Sequence, residues 1–250
     1  MADVTKHTPD DPMSAHPVRR ALVVCAHPDD VDFGAAGTVA AWTSAGIEVA
    51  YCLCTSGEAT GELDEDRAGV ARLREEEQRA AAAEVGVTDL TFLRYPDGRL
   101  TPSLELRRDI SRVIRRFRPQ RVLTWSPEIN WDHIVTSHPD HRAAGSATLA
   151  AVYPDARNPH AHPELLAEGL DPWTVRELWV ADGPSFLRSH AVDVTDTFDR
   201  KLAALRAHRS QIKAYDRVAD ELRTHLRRVA ESHGLPAGRL AEAFQVVNTA

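Results

Sequence analysis

The sequence predicts an α/β fold in which a mostly parallel sheet carries helices on both faces. Two observations favour this class. Short, continuously apolar runs, such as ALVVCA at 21–26, are typical of strands that are buried on both faces. Helical stretches separate these runs, and this alternation indicates parallel βαβ units. With 250 residues, of which 43% are hydrophobic and 27% charged, the chain can bury the core of one such domain.

The first half of the chain alternates regularly. After the strand at 21–26, the alanine-rich stretch 34–46 has the composition of a helix, and the apolar run 47–55 predicts a second strand. Two glycines and several acidic residues make 55–66 a loop. The stretch 67–87 is rich in alanine and glutamate and predicts a long helix.

The second half continues this pattern. Apolar residues recur at helical spacing over 104–117, and Pro119 ends that helix. The other predicted elements are strands at 90–95, 121–126 and 176–182 and helices at 142–153, 196–212 and 220–234. Because no repeat or linker interrupts them, we predict a single domain over residues 20–250. A flexible arm, polar and rich in proline, is predicted for residues 1–19.

Charge and composition exclude several classes of partner. The formal net charge is −7 and the chain has no basic block, which weighs against nucleic acid or an anionic membrane surface. No apolar run approaches the roughly 20 residues of a membrane-spanning helix. The beginning of the chain lacks the apolar stretch of a secretion signal, so a cytoplasmic protein is expected. A homo-oligomer is compatible with the sequence.

The three cysteines fall in apolar strands. We expect Cys25, Cys52 and Cys54 to be reduced thiols of the core, which agrees with a cytoplasmic location. A thiol that binds metal or acts as a nucleophile is the alternative.

Polar residues follow two of the predicted strands. The motif HPDD (27–30) comes directly after the first strand, and NWDHIVTSHPDH (130–141) follows the strand at 121–126. Ligand sites of open parallel sheets lie at the carboxyl ends of the strands, so the two segments can meet there. The sequence after the first strand, DFGAAG, lacks a glycine-rich phosphate fingerprint, which argues against a nucleotide site.

A metal ion is the simplest partner for the two adjacent carboxylates. Asp29 and Asp30 repel each other unless a cation offsets their charge. His27 lies three residues before Asp30, and HPDH repeats this spacing with His138 and His141. Two histidines and one carboxylate, with a fourth position left to water, are the pattern of catalytic zinc. The alternative is a pair of turns with capping carboxylates and structural histidines.

The same motifs carry a resemblance to a known family. AHPDD and HPDH resemble the two signature motifs of the PIG-L (LmbE-like) zinc-dependent deacetylases. The resemblance covers roughly residues 20–245, and weaker similarity is found in the segments TSGEATG, REEEQRAAAAEVGV, FLRYPDG, DTFDRKLAALRAHRSQ and AEAF. The resemblance implies a Rossmann-like α/β sheet with the metal site at the carboxyl ends of its strands. It also implies hydrolysis of N-acetyl groups, typically from N-acetylglucosamine units.

The resemblance further implies a role for each motif residue. His27, Asp30 and His141 would bind one zinc ion, although other divalent ions are compatible. Asp29 would be the general base. Such an ion activates water and polarises an amide carbonyl, and a neighbouring carboxylate can take the proton of the water.

Four further residues are candidates for catalysis or substrate binding. His138 would be an electrophilic or acid partner, and Asp140 would orient it and keep it protonated. Arg74 and Asp97 would reach sugar hydroxyls. The structural alternatives are an ion pair on a helix surface for Arg74 and a turn residue for Asp97. His208 and Gln211 are expected to support the site rather than to react.

The favoured function is therefore a zinc-dependent deacetylase of a small amino-sugar substrate. An amidase that cleaves a thiol-glycoside conjugate or a longer acyl group is the main alternative. A non-catalytic metal-binding module and a non-haem iron oxygenase fit less well, the second because its first histidine and carboxylate are usually one residue apart. Substrate choice is expected to lie in the loops 55–66, 94–103, 127–137 and 154–175.

Overall fold

A computed structural model describes residues 17–61, 64 and 66–249. Its seven strands form one sheet. They are β1 (Arg20–Cys25), β2 (Glu48–Thr55), β3 (Asp89–Tyr95), β4 (Arg121–Trp125), β5 (Glu177–Ala181), β6 (His190–Asp193) and β7 (Ala241–Asn248). The α-helices are α1 (Asp30–Gly34), α2 (Ala36–Ser44), α3 (Arg67–Glu84), α4 (Leu104–Phe117), α5 (Pro139–Val152), α6 (Pro163–Ala167), α7 (Phe198–Ala207) and α8 (Tyr215–Ser232).

The sheet has the strand order β3-β2-β1-β4-β5-β7-β6. Strands β1 to β5 run parallel, whereas β7 is antiparallel to β5 and to β6. The predicted α/β class with a mostly parallel sheet is therefore confirmed. Strands β6 and β7 were missed because charged and amide side chains interrupt their apolar residues, so neither shows the continuous apolar run of a buried parallel strand.

Alternate residues of each central strand face opposite sides of the sheet. Ala21, Val23 and Cys25 belong to a core that contains residues of α2, α3 and α7, whereas Leu22 and Val24 belong to a core with α4 and α5. Helices therefore cover both faces, as predicted. All three cysteines are fully buried and free, and burial raises the pKa of each thiol, which agrees with inert core residues.

The strand order reverses between β1 and β4. Their register pairs Ala21 with Arg121 and Val23 with Leu123, so both strands end at the same edge of the sheet. The crevice at such a reversal is where open parallel sheets bind ligands. The motif HPDD leaves β1 at this point, and the segment that ends in HPDH follows β4.

Residues 1–16 of the predicted arm lie outside the described residues, while Val18 is buried and the amide of Arg19 donates to Gln120. No helix within the described ranges has the length and hydropathy to cross a membrane.

The loop 154–175 leads into β5, so it lies at the amino edge of the sheet, where Trp173 Nε1 donates to the Pro119 carbonyl. None of its residues lines the cleft described below, so its part in substrate choice stays a prediction without support from that cleft.

Candidate active site

A tight turn follows β1, and the carboxylates of Asp29 and Asp30 point in different directions from it. Asp29 has a left-handed backbone, with φ 85°, and α1 begins at the next residue. Oδ2 of Asp30 accepts hydrogen bonds from the backbone amides of Ala26 (3.0 Å) and His27 (2.8 Å). The carboxylate therefore fixes the turn with one oxygen, as the capping alternative requires. Its second oxygen, Oδ1, remains available to other partners.

The helix α5 brings the second motif to this turn. Pro139 occupies the first helical turn, where its missing amide costs no hydrogen bond. Nδ1 of His141 lies 3.2 Å from the Thr136 carbonyl and donates to it, which leaves Nε2 to face the turn after β1. That Nε2 lies 3.0 Å from Asp30 Oδ1.

Three imidazoles converge above Asp30. The ring centroids of His27, His138 and His141 lie 5.1 to 5.4 Å apart, and one ring nitrogen of each lies within 4.8 Å of the others. Nδ1 of His27 is 3.6 Å from Asp30 Oδ1. The structure thus brings the expected ligands His27, Asp30 and His141 together, and it adds the ring of His138 to the same cluster.

The other nitrogen of His27 faces two carboxylates. Its Nε2 lies 3.0 Å from Asp97 Oδ1 and 3.4 Å from Asp140 Oδ2. A histidine that binds a metal through one nitrogen commonly donates its other N–H to a carboxylate. Asp97 was expected to bind sugar, but both of its oxygens already have partners, since Oδ2 accepts from the amide of Ala59 (2.8 Å). Orienting His27 is the contact that the structure shows for Asp97.

Asp140 does not orient His138 through its carboxylate, which corrects the expectation from sequence. Its side chain turns towards the loop before α4 and accepts from the amides of Gly98 (2.7 Å) and Leu100 (3.2 Å). The contact with His138 instead runs from the backbone amide of Asp140 to His138 Nδ1 (3.2 Å). An Nδ1 that accepts a hydrogen bond belongs to a neutral ring with its proton on Nε2. Burial and the neighbouring rings of His27 and His141 lower the pKa of His138, in agreement.

The cluster carries an excess of negative charge. Burial and the charge of Asp30 raise the pKa of Asp29 to about 6, although Arg74 lowers it. Burial opposes protonation of His27, yet Asp30, Asp140 and Asp97 together raise its pKa to about 12. The pKa of Asp30 lies far below its ordinary value because His141 and His27 outweigh the effect of burial. These buried carboxylates therefore require a positive charge in their midst.

The residues present fit a divalent metal ion. Asp30 Oδ1, His141 Nε2 and His27 Nδ1 are one oxygen and two nitrogen donors that face one another, which is a set that zinc prefers. The second nitrogen of each histidine is held by a carboxylate or a carbonyl, as in known zinc sites. An ion among these donors would take the place of the protons that the carboxylates otherwise hold on the rings of His27 and His141, whose pKa values they raise.

Arg74 lies inside the site and not on a helix surface. It projects from α3, is 6% exposed, and its Nη2 donates to Asp29 Oδ2 (3.0 Å) and to the Pro28 carbonyl (2.8 Å). Its Nη1 donates to the Gly57 carbonyl (2.6 Å). Gly57 has φ +68°, and a Cβ there would lie 2.1 Å from Nη1. The first glycine of TSGEATG is thus required by the close approach of Arg74.

A cleft of about 740 Å³ opens over this cluster, a size typical of small-molecule sites. Its far wall comes from Asn130, which belongs to the predicted loop 127–137, and from residues that the sequence analysis did not select: Phe33, Trp125, Asp182, Arg188, Leu222 and His225. Trp125 and Asp182 could have been found, because they stand at the carboxyl ends of β4 and β5. Nothing in the sequence indicated that α8 would cover the crevice. His133 also lines the cleft and is exposed.

The two expected supporting residues differ in position. His208 is fully buried, and its Nε2 lies 2.8 Å from Asp32 Oδ2, behind the turn that carries Asp29. Gln211 lies further out, where it accepts from Thr60 Oγ1 (3.3 Å) and donates to Ser210 (3.0 Å). Only His208 is therefore linked to the turn.

Comparison with known proteins agrees with this geometry. The model of the PIG-L family, described as GlcNAc-PI de-N-acetylase, matches residues 22–152. Diacetylchitobiose deacetylase of Thermococcus kodakarensis is 33% identical over 235 residues, which are 92% of this chain and 84% of that protein. The 1D-myo-inositol 2-acetamido-2-deoxy-α-D-glucopyranoside deacetylase 2 of Catenulispora acidiphila is 30% identical, over 78% of this chain and 80% of its own.

A solved structure extends the likeness to the fold. The N,N'-diacetylchitobiose deacetylase of Pyrococcus horikoshii, complexed with its inhibitor MPG, has a TM-score of 0.83 and 28% identity, covering 92% of this chain and 84% of its own. The family model covers more than half of the chain, and the Thermococcus relative aligns with nearly all of it. With both signature motifs assembled at one crevice, the chain belongs to the PIG-L family.

Proposed function

We propose that this chain is a metal-dependent hydrolase that removes the N-acetyl group from an amino sugar of the N-acetylglucosamine type. The observation that carries the proposal is the position of Asp29. Its carboxylate lines the cleft next to the donors of His27, Asp30 and His141, but it is held by an arginine and not by them. A purely structural metal site has no use for such a carboxylate.

His27, Asp30 and His141 would hold the metal, with zinc the simplest choice for this donor set. When bound, such an ion supplies Lewis acidity to water and to the amide carbonyl. The ring of His138 adjoins these donors, and the metal content of His138 variants decides whether it joins them.

Asp29 acts as the general base in this proposal. Arg74 occupies its Oδ2, and within the described residues no hydrogen bond reaches its Oδ1, which is left to take a proton from water. The raised pKa of Asp29, about 6, suits a group that accepts a proton and then returns it to the leaving amine.

His138 stabilises the negative charge that develops on the carbonyl oxygen. Because its Nδ1 accepts from the amide of Asp140, its Nε2–H is the donor available to the cleft. A neutral imidazole can act as such a donor, so catalysis does not require the protonated ring expected from sequence.

The substrate class rests on the relatives, whose names describe deacetylases of acetamido-sugar compounds. Arg74 and Asp97 line the cleft, so contact with sugar hydroxyls stays a prediction for both residues. An amidase of a thiol-glycoside conjugate or of a longer acyl group remains the alternative, since the same residues would serve it.

One screen tests the proposal. The purified protein is analysed for metal and then assayed for amine release from N-acetylglucosamine, diacetylchitobiose, N-acetylglucosamine thiol conjugates and analogues with longer acyl groups. We expect about one divalent ion per chain and release of acetate, abolished by a chelator and restored by zinc. Preference for a longer acyl group would favour the alternative, and activity that persists without metal would refute the proposal.

A further inference from the structure

We propose that Gln78 is a positioning residue that holds the general base Asp29 in its working geometry, through a buried chain of hydrogen bonds that includes Asp32 and His208. The inference rests on the proposed function of Asp29. It is carried by contacts behind the cleft, on the side of the turn that substrate does not reach.

The backbone of Asp29 needs an external support. Its φ of 85° lies in the left-handed region, which costs a residue with a side chain about 1–2 kcal/mol. Such a conformation persists where its surroundings impose it, and it is common at functional sites. Here the amide of Asp29 donates to Gln78 Oε1 at 2.7 Å, one of the shortest hydrogen bonds in the site.

The orientation of the Gln78 amide is determined by its second partner. Nε2 of Gln78 donates to Asp32 Oδ2 at 2.9 Å, and His208 Nε2 lies 2.8 Å from the same oxygen. An ionised carboxylate only accepts hydrogen bonds, so the nitrogen of Gln78 must face it. The carbonyl of Gln78 must then face the amide of Asp29.

All three supporting side chains are sealed from solvent. Gln78, Asp32 and His208 are 0% exposed. None of them lines the cleft, so none can act on the substrate directly. Each member is hydrogen-bonded to the next, so the chain of contacts supports the strained turn from inside the core, while Asp32 Oδ1 and His208 Nδ1 have no hydrogen-bond partner among the described residues.

The helix α3 therefore holds Asp29 at two points. Arg74 binds its carboxylate and Gln78 its amide, and the two residues lie four apart on one face of the helix. Arg74 sets where the carboxylate lies, and Gln78 sets the backbone from which it projects. If Gln78 is lost, the turn can relax while Asp30 keeps its own bonds to Ala26 and His27.

Replacing Gln78 with leucine, which has a similar shape, removes both hydrogen bonds. We expect kcat to fall about 10- to 100-fold, the usual effect of a displaced catalytic group, with KM and metal content near those of the wild type. The Asp29 amide proton should exchange faster with solvent in this variant. An unchanged kcat or an unchanged exchange rate would overturn the inference.

A pair of charge-exchanging substitutions tests the direction of the hydrogen bonds of Gln78 without removing them. Gln78→Glu alone sets two carboxylates against each other and should lower kcat. The double variant Gln78→Glu with Asp32→Asn reverses the bond: the NH2 of the new side chain at position 32 can donate one hydrogen to the carboxylate at position 78, which still accepts from Asp29, and the other to Nε2 of a neutral His208. We expect the kcat of the double variant to be at least about tenfold higher than that of Gln78→Glu alone. Tenfold is the lower end of the loss expected for a displaced catalytic group. If the double variant does not regain kcat, the proposed chain of hydrogen bonds is contradicted.

Glu77 provides the matched control. It immediately precedes Gln78 in α3, and it accepts hydrogen bonds from the backbone amide and the hydroxyl of Ser210 (2.8 and 2.6 Å), away from Asp29. Glu77→Gln should lower stability but keep the wild-type kcat. A loss of kcat equal to that of Gln78→Leu would show a general loosening of α3 and overturn the inference. The exchange measurement needs no substrate, so it stands even if no acetamido sugar is hydrolysed.

Discussion

Gly57→Ala should uncouple Arg74 from the active site. The new Cβ would lie 2.1 Å from Nη1 and 2.5 Å from the central carbon of the guanidinium, well inside contact distance. Because Arg74 is only 6% exposed, the guanidinium cannot simply swing into solvent. It must give up some of its hydrogen bonds to Asp29, Pro28 and the Gly57 carbonyl.

The expected loss of unfolding free energy in Gly57→Ala has two parts. A side chain at φ +68° costs about 1–2 kcal/mol through backbone strain. Loss of one hydrogen bond that involves a charged group costs a further ~1.5–3 kcal/mol. Gly46 isolates the first part, because it has φ +82° and a Cβ added there would meet no atom within 4 Å. Gly57→Ala should therefore lose about 2.5–5 kcal/mol of unfolding free energy, against about 1–2 for Gly46→Ala.

Two measurements check this reasoning. Denaturant unfolding gives the free energies of the two variants, and steady-state kinetics gives kcat at equal metal loading. We expect Gly46→Ala to retain the wild-type kcat and Gly57→Ala to lose at least about tenfold, because Asp29 loses its anchor. Equal losses of stability, together with wild-type turnover in both variants, would refute the idea that Arg74 depends on this glycine.

Three further predictions concern the metal, the two histidines and the effect of pH on stability. Asp29→Asn should keep its metal and lose about 100-fold or more in turnover, whereas Asp30→Asn should lose metal; a wild-type rate in Asp29→Asn would exclude a general base there. His141→Ala should lose most of its metal in elemental analysis, and His138→Ala should keep it while turnover falls about 100-fold; a metal-free His138→Ala would instead make that ring a ligand. The hydrogen bond from Arg94 lowers the pKa of Glu75 below its ordinary 4.5, so this pair stabilises the fold above pH 4.5 and the effect is lost as the pH falls through the lowered pKa. Unfolding free energies of wild type and Arg94→Gln, measured against pH, should therefore converge in acid, and a constant difference would contradict this.

The sequence identified the two motifs for a reason that does not depend on detailed packing. Parallel strands have a strong apolar signal, and their carboxyl ends must share an edge of the sheet. Once β1 and β4 were recognised, HPDD and HPDH had to lie near each other. His27, Asp30 and His141 could be found in this way because each follows directly from a strand or begins a helix.

The burial of Arg74 and Gln78 on α3 could not be predicted from the sequence in the same way. Five of the seven residues of the segment LREEEQR are charged, and a surface helix would look no different. Arg74 and Gln78 are buried only because the turn after β1 and the loop at Gly57 pack against that face. The partners of the Asp140 carboxylate were misjudged for a related reason, since the amides of Gly98 and Leu100 come from a loop that lies 40 to 42 residues earlier in the chain.

What the sequence by itself determined is the α/β class, the site at the carboxyl ends of the strands and the chemical types of side chain that meet there. These follow from local patterns, namely apolar strands, helical spacing and the residues next to each strand end. Only the tertiary structure decided which of these side chains are buried, which nitrogen of His27 faces which carboxylate, and that α8 forms the far wall of the cleft. Those features depend on contacts between residues far apart in the chain, and hydrogen-bond direction and burial are properties of such contacts and not of local sequence.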